Sequence, residues 1–126
     1  MKSIFHIVQR AEFEGSAPSE LYRPASFNTE GFIHCSYLEQ VCAVANERFT
    51  GESGLVLLEI DPVSTGCDVV DEDVYGLNEW FPHIYGALPT RAIIAVHEFE
   101  AGSDGTFNLP TPLNSHYTSR PDGDPL

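Results

Sequence analysis

The sequence predicts a single α+β domain, and three observations support this fold class. The chain has 126 residues, the length of one ordinary domain that can bury a core without disulfides or metals. Several short apolar runs have the length of strands and are bounded by Gly, Pro or Asp. One longer stretch repeats its apolar residues at helical spacing. Short strands combined with one main amphipathic helix indicate an α+β domain.

The first third of the chain alternates between strand-like and irregular stretches. Residues 3–9 are mostly apolar on both alternating sides, which is typical of a strand buried on both faces. Residues 10–15 suit a short helix ended by glycine, and residues 20–26 are extended or irregular. Residues 32–35 are aromatic and β-branched, and they predict a second buried strand.

The clearest helix follows directly, because Ser36-Tyr37-Leu38-Glu39 matches a capping box. In this motif the Ser36 hydroxyl accepts from a backbone N–H, while the Glu39 side chain reaches back to the cap. Apolar residues then recur on one face up to Phe49, and Thr50-Gly51 ends the pattern. We therefore expect an amphipathic helix that begins at Ser36.

The second half of the chain supplies the remaining strands. Residues 54–60 are continuously apolar and predict a central strand. The acidic stretch 67–75 indicates an exposed edge strand or a loop. Residues 80–85 are extended, residues 87–89 predict a turn, and residues 92–99 predict another buried strand.

The composition changes after Glu100 to Gly, Ser, Asp, Asn, Pro and Thr. We assign residues 1–100 to the domain and residues 101–126 to a polar C-terminal tail. Low hydrophobicity and repeated prolines predict that this tail is partly disordered, although residues 107–109 can dock on the domain.

The charge of the chain limits its partners. Six Lys and Arg against nineteen Asp and Glu give a net charge of −13, which argues against nucleic acid and anionic membranes. Residues 1–50 carry four of the six basic side chains, so an anionic ligand should be met there. Three unpaired cysteines and the absence of a leader-type segment or a run of about 18 apolar residues predict a cytoplasmic protein.

Three histidines lie on three separate apolar stretches, at His6, His34 and His83. Strand alternation puts His34 on the same side as Ser36, and His83 on the same side as Tyr85. If these strands converge, the imidazoles and Tyr85 line one cleft. Imidazole can donate, accept or carry a proton near neutral pH, so we predict the three histidines as catalytic candidates. The alternative is that each is a semi-buried structural residue.

Five further residues are candidates for ligand binding, namely Ser36, Tyr85, Arg23, Glu30 and Glu79. A helix that starts at Ser36 offers free N–H groups to an anion. Arg23 and Arg48 are the cations best placed to reach a phosphate. Glu30 and Glu79 precede the histidine stretches and suit a general base or a ribose-binding carboxylate, although solvated loop carboxylates are common.

Metal and thiol chemistry are alternatives that the sequence favours less. There is no His-x-His or Glu-x-x-His pair to supply two ligands locally, so we expect a metal-free pocket, although three distant histidines can still converge on a metal. Cys35 follows His34, but adjacent strand residues point to opposite faces. Cys35 is therefore expected to pack in the core.

Four sequence motifs follow one another in the chain. They are Ile4-Phe5-His6-Ile7-Val8, Glu30-Gly31-Phe32-Ile33-His34-Cys35-Ser36 with Val44-Ala45-Asn46-Glu47-Arg48-Phe49 after it, Leu55 to Asp61, and Phe81-Pro82-His83-Ile84-Tyr85-Gly86. In this order they resemble the bacterial family catalogued as domain of unknown function 952. The resemblance covers about residues 3–100, and family members usually have Pro where Ala87 stands.

That family is distantly similar to the ADP-ribosyltransferase fold, which includes the RNA 2′-phosphotransferases. The similarity implies two small packed sheets around an NAD cleft lined by three strand-borne side chains. The first is commonly His, which His6 resembles, and the second falls at His34 and Ser36. The third is commonly Glu, whereas this chain has His83 or Tyr85 there, which argues against ordinary protein ADP-ribosylation.

The leading hypothesis is a domain that binds NAD or an ADP-ribose-like nucleotide and catalyses histidine-assisted ribosyl or phosphoryl transfer. The competing hypothesis is a non-enzymatic ligand- or metal-binding module that uses the same histidines. A third is that the histidines are structural. The sequence leaves the acceptor and the oligomeric state open.

Overall fold

The structure, a computed structural model, describes residues 2–16, 20–74 and 76–113. In these residues, strands form two three-stranded antiparallel sheets and one two-stranded ribbon. The predicted α+β class is confirmed, with a ribbon in addition to two small sheets. The strands are β1 (Ile4–Gln9), β2 (Leu21–Tyr22), β3 (Ile33–His34), β4 (Leu55–Ile60), β5 (Asp68–Glu72), β6 (Phe81–Tyr85), β7 (Leu88–Pro89) and β8 (Ile93–Phe99), and the α-helices are α1 (Arg10–Ser16), α2 (Phe27–Glu30) and α3 (Val41–Arg48).

The first sheet has the order β1-β4-β8 and separates two apolar cores. Alternate residues of β1 point to opposite cores, with Ile4 and Val8 in one and Phe5 and Ile7 in the other. Alternate residues of β4 also point to opposite cores, which explains why the sequences of β1 and β4 are apolar on both faces. The prediction that residues 54–60 form a central strand is therefore confirmed.

The second sheet has the order β3-β6-β5, and one backbone bridge joins it to the first sheet. At this bridge Phe5 N–H donates to Ser36 O, and Ser36 N–H donates to Phe5 O, both at 2.8 Å. The bridge brings His6 beside His34. The strand β5 lies at the edge, as its acidity predicts.

The helix start that we predicted at Ser36 is wrong. The Ser36 N–H is already bound to Phe5, so Ser36 belongs to the inter-sheet bridge instead of a helix cap. A 3₁₀ turn follows at Leu38–Gln40, and α3 begins only at Val41. The side chain that reaches back is Gln40, whose Oε1 accepts from Tyr37 N–H at 2.9 Å, in place of Glu39.

Three other elements differ from the expectation. Residues 88–89 pair with β2 and form a strand instead of a turn. The strand β8 is covered on one face only, so its alternate residues Ile94 and Val96 are exposed instead of buried. The short helix α2 lies in a stretch that shows no helical pattern in the sequence.

Part of the region after residue 100 packs on the domain. Phe107 and Leu113 are buried with the second core, and Phe107 N–H donates to Asn46 Oδ1 at 2.8 Å. Residues 114–126 of the tail, including His116, lie outside the described residues. Among the helices of the described residues, none has the length and apolar character needed to cross a membrane.

Candidate functional site

A cavity of about 190 Å³ lies where β1, β3, α2 and α3 meet. Its apolar wall includes Phe5 and Phe49. Its polar wall combines two imidazoles, a guanidinium, a carboxylate and two hydroxyls, from His6, His34, Arg48, Glu30, Ser26 and Ser36. A concave site where several polar groups converge beside apolar side chains is typical of small-molecule sites.

His6 is held through both ring nitrogens. Its Nδ1 lies 2.8 Å from the His34 carbonyl oxygen, which can only accept, so Nδ1 carries the hydrogen. Its Nε2 lies 3.1 Å from the Tyr22 hydroxyl, which therefore donates to it. Burial lowers the pKa of His6 and keeps the ring neutral at pH 7. His6 thus shapes the cavity wall while its polar atoms are engaged elsewhere.

His34 heads a chain of hydrogen bonds that runs away from the cavity. His34 Nδ1 lies 3.0 Å from His83 Nε2, and His83 Nδ1 lies 3.0 Å from Glu72 Oε1. The pairing of β3 with β6 sets His34 opposite His83, and the pairing of β6 with β5 brings Glu72 within reach. The Tyr85 hydroxyl donates to the same Glu72 oxygen at 2.5 Å.

The electrostatics along these hydrogen bonds favour a neutral His34. Burial first, and then the neighbouring His83 and Arg48, lower the pKa of His34 to about 3. At the other end, hydrogen bonds from Tyr85 and then His83 lower the pKa of Glu72, which is therefore a carboxylate at neutral pH. The chain joins an anion near the surface to a neutral imidazole at the cavity.

The structure separates the three histidines that the sequence grouped together. His34 and His6 line the cavity, as the predicted convergence of strands requires. His83 is 0% exposed, stacks on Phe32 with ring centroids 4.0 Å apart, and lies behind His34 instead of in the cavity wall. His83 is therefore not part of the cavity wall, and its contact with the cavity runs through the hydrogen bond to His34.

The predicted ligand-binding residues also fall into two groups. Glu30 and Ser36 line the cavity. Arg23 lies over the Phe27 ring at 5.2 Å, outside the cavity wall. Tyr85 lies at the far end of the chain on Glu72, and the Glu79 carboxylate accepts from Gln40 Nε2 at 3.4 Å.

Three residues of the site are missing from the sequence-based assignment, and a fourth is named there only beside Arg23. Arg48, which the sequence indicates only as an alternative to Arg23, is the cation of the cavity wall. Ser26 joins it from the turn before α2. The sequence predicts Tyr22 within an irregular stretch and Glu72 within an acidic edge, and only the strand pairing shows their contacts with the histidines.

Neither a metal centre nor a reactive thiol emerges from the described residues. In them, no group of three or more His, Cys, Asp or Glu side chains is arranged to hold a metal ion. Cys35 is buried in the first core, and burial raises the pKa of its thiol. The expectation that Cys35 packs in the core is confirmed.

Comparison with known proteins identifies relatives of uncharacterised function. A family model described as protein of unknown function (DUF952) matches residues 7–96. The crystal structure of protein CC0527 from Caulobacter crescentus is 29% identical, with a TM-score of 0.78 over 90% of this chain and 99% of that one. The solution structure of CC0527, also 29% identical, gives a TM-score of 0.71 over 84% and 91%. No curated protein matches the chain. Since the family model spans most of its length, the chain belongs to the DUF952 family.

Proposed function

We propose that the cavity binds the phosphorylated ribose of NAD, ADP-ribose or a related nucleotide, and that His34 assists ribosyl or phosphoryl transfer there. The observation that carries the proposal is the placement of Arg48 and His34 on one cavity wall. A guanidinium matches the geometry of phosphate oxygens, and a neutral imidazole can accept from a sugar hydroxyl.

The charge distribution supports an anionic ligand at this place. The chain has a net charge of −13, so most of its surface repels anions. Arg48 supplies a positive charge within the cavity wall, beside the Ser26 and Ser36 hydroxyls. Glu30 on the same wall can accept from a ribose hydroxyl.

The space around the cavity supports a ligand with two parts. A neighbouring hollow of about 360 Å³ shares a wall with the cavity through His6, Ile7, Ser26 and Phe49. The cavity itself suits a ribose phosphate, and the neighbouring hollow gives room for a second part. The preference for a nucleotide over other sugar phosphates follows from the resemblance of the sequence to the ADP-ribosyltransferase fold.

The transfer step assigns a specific task to His34. In ribosyl transfer from NAD, the bond between ribose C1′ and nicotinamide breaks, and nicotinamide leaves with the electron pair. An acceptor hydroxyl forms the new C1′–O bond and loses its proton to a base. The task of His34 is to be that base. His34 has a pKa of about 3 without a ligand, and a phosphate near Arg48 would raise that pKa by offsetting the guanidinium charge.

The low pKa of His34 also favours a second candidate function, which is binding without chemistry. A base with a pKa of about 3 is weak at pH 7, whereas a neutral imidazole is a good hydrogen-bond acceptor. Under this alternative the protein holds the nucleotide and releases it unchanged.

Calorimetric titration with NAD, ADP-ribose and a 2′-phosphorylated nucleotide tests both candidates. We expect at least one to bind, and Arg48→Gln to weaken binding by about tenfold or more because a charged hydrogen bond to phosphate is lost. Arg91→Gln is the matched control, since Arg91 is exposed and lies outside the cavity wall. The absence of binding for all three ligands would overturn the proposal.

Product analysis then separates the two candidates. With water as the acceptor, incubation of the wild-type protein with NAD should release nicotinamide, or incubation with the 2′-phosphorylated nucleotide should release inorganic phosphate, and His34→Gln should abolish this release. Binding with an unchanged ligand after long incubation would favour the binding module.

A further inference from the structure

The direction of the hydrogen bonds behind His34 follows from the carboxylate at their end. Ionised Glu72 can only accept, so the His83 Nδ1 at 3.0 Å from it carries a hydrogen and donates. The Tyr85 hydroxyl donates to the same oxygen, which leaves no place for a proton on it. Glu72 thus sets the polarity of the first bond.

Burial of His83 sets the polarity of the second bond. The His83 ring is fully buried and stacks on Phe32, so a positive charge on this ring would lose its hydration. A neutral imidazole has a single N–H, and His83 uses it towards Glu72. Its Nε2 is therefore an acceptor, so the His34 Nδ1 at 3.0 Å must donate to it.

We propose that Glu72 and His83 are positioning residues that hold His34 as the Nδ1–H tautomer, so that His34 Nε2 is presented as a hydrogen-bond acceptor to the ligand. The ligand part of this statement rests on the proposed function, whereas the tautomer belongs to the protein without a ligand. The arrangement matches the way in which a carboxylate orients a histidine in many active sites.

The consequence is a requirement on the ligand. Arg48 donates and His34 Nε2 accepts, so the complementary ligand places a hydroxyl close to an anionic oxygen. A phosphorylated ribose has this pattern, whereas inorganic sulfate or a simple carboxylate lacks the hydroxyl. His34 Nε2 is shielded from bulk water, which strengthens a hydrogen bond made there.

Long-range ¹H–¹⁵N correlation NMR of the ¹⁵N-labelled protein at pH 7 tests the tautomer directly, because protonated and unprotonated ring nitrogens give well-separated signals. We expect the hydrogen of His34 on Nδ1 and of His83 on Nδ1, with both Nε2 atoms unprotonated. A hydrogen on His34 Nε2 in the wild-type protein would overturn the proposal. It would mean that His83 is an imidazolium whose Nε2 donates to His34 Nδ1, which is the opposite of the proposed direction.

The variant Glu72→Gln removes the charge while keeping the size of the side chain. We expect the His34 ring to change from one tautomer to a mixture of both, because His83 loses its fixed polarity. The control is Glu59→Gln, which removes the carboxylate that accepts from His97 Nε2 at 2.9 Å in the first sheet, and it should leave the His34 signals unchanged. An unchanged His34 spectrum in Glu72→Gln would contradict the role of Glu72, and the wild-type spectrum remains decisive if this variant fails to fold.

Addition of ADP-ribose to the labelled protein separates this inference from the proposed function. Binding should move the His34 Nε2 signal while leaving that atom unprotonated, as expected for an acceptor. A bound ligand that leaves His34 Nε2 unmoved would contradict the ligand part of the inference. If no nucleotide binds, the proposed function fails, and the tautomer measured without a ligand still stands or falls by itself.

Discussion

Two carboxylate–histidine pairs with similar lengths have different surroundings. Glu72 and His83 lie 3.0 Å apart in the second sheet, and Glu59 and His97 lie 2.9 Å apart in the first. The His83 side chain is 0% exposed and continues to His34, whereas that of His97 is 14% exposed, and among the described residues no third side chain continues from it. The pair alone therefore does not mark a functional site.

The position of each strand in its sheet explains the difference. His83 lies on β6, the central strand, and has Glu72 on one neighbouring strand and His34 on the other. His97 lies on β8, an edge strand whose one sheet neighbour is β4. A central strand can pass hydrogen bonds from one neighbour to the next, and an edge strand cannot.

The largest contrast should come from removing each histidine. His83→Ala should lower the free energy of unfolding by about 3 kcal/mol, because it leaves a cavity under Phe32 and a buried ring nitrogen of His34 without its acceptor. His97→Ala should cost about 1 kcal/mol, since its pair is partly exposed. Urea unfolding measures both. Equal losses would show that the two pairs are equivalent.

A pH series sharpens the comparison at His34, where the hydrogen bonds that start at Glu72 and pass through His83 end. Between pH 7 and 5 we expect the free energy of unfolding to fall by about 2 kcal/mol from His34 alone, whose pKa is about 3 in the folded protein against an ordinary value of 6.5. The unfolded state binds a proton in this window and the folded state does not, so stability is lost as the pH falls. His6 adds to the effect in the same direction.

The control for this series is His97→Gln, which should leave the loss between pH 7 and 5 nearly intact, whereas His34→Gln should reduce it. The lowered pKa of Glu72 acts in the same sense only at more acidic pH. Thermal unfolding at each pH gives the measurement. A flat profile in the wild-type protein would contradict the buried neutral state of His34.

The smallest effect should come from the hydroxyl on each carboxylate. Tyr85 donates to Glu72 at 2.5 Å, and Ser3 donates to Glu59 at 3.2 Å. Tyr85→Phe should raise the pKa of Glu72 towards its ordinary value, because the largest cause of its lowering is removed. Ser3→Ala should leave Glu72 unchanged. Carboxylate ¹³C shifts followed through a pH titration report the result, and an unchanged Glu72 in Tyr85→Phe would show that His83 alone holds it.

The sequence predicted those features that depend on apolar runs. The buried strand at residues 3–9 and the central strand at residues 54–60 were readable because both of their faces are covered by core. The meeting of His6 with His34 also followed from alternation once the strands converged. Apolar runs and strand alternation are local patterns, so they can be recognised without knowing which strands pair.

The features that depend on register could not be predicted. Glu72 was one carboxylate in an acidic edge, and its contact with His83 requires knowing that β5 pairs with β6 in one register. Ser36 matched a helix cap, and a backbone bridge to a distant strand took its N–H instead. A single sequence contains no signal for either pairing.

The bridge between Phe5 and Ser36 also has a mechanical meaning. Two backbone hydrogen bonds and the contact from His6 to the His34 carbonyl fasten the sheets at one place. Because the bridge is made by backbone groups, the spacing between His6 and His34 does not depend on which side chains occupy the rest of the cavity wall.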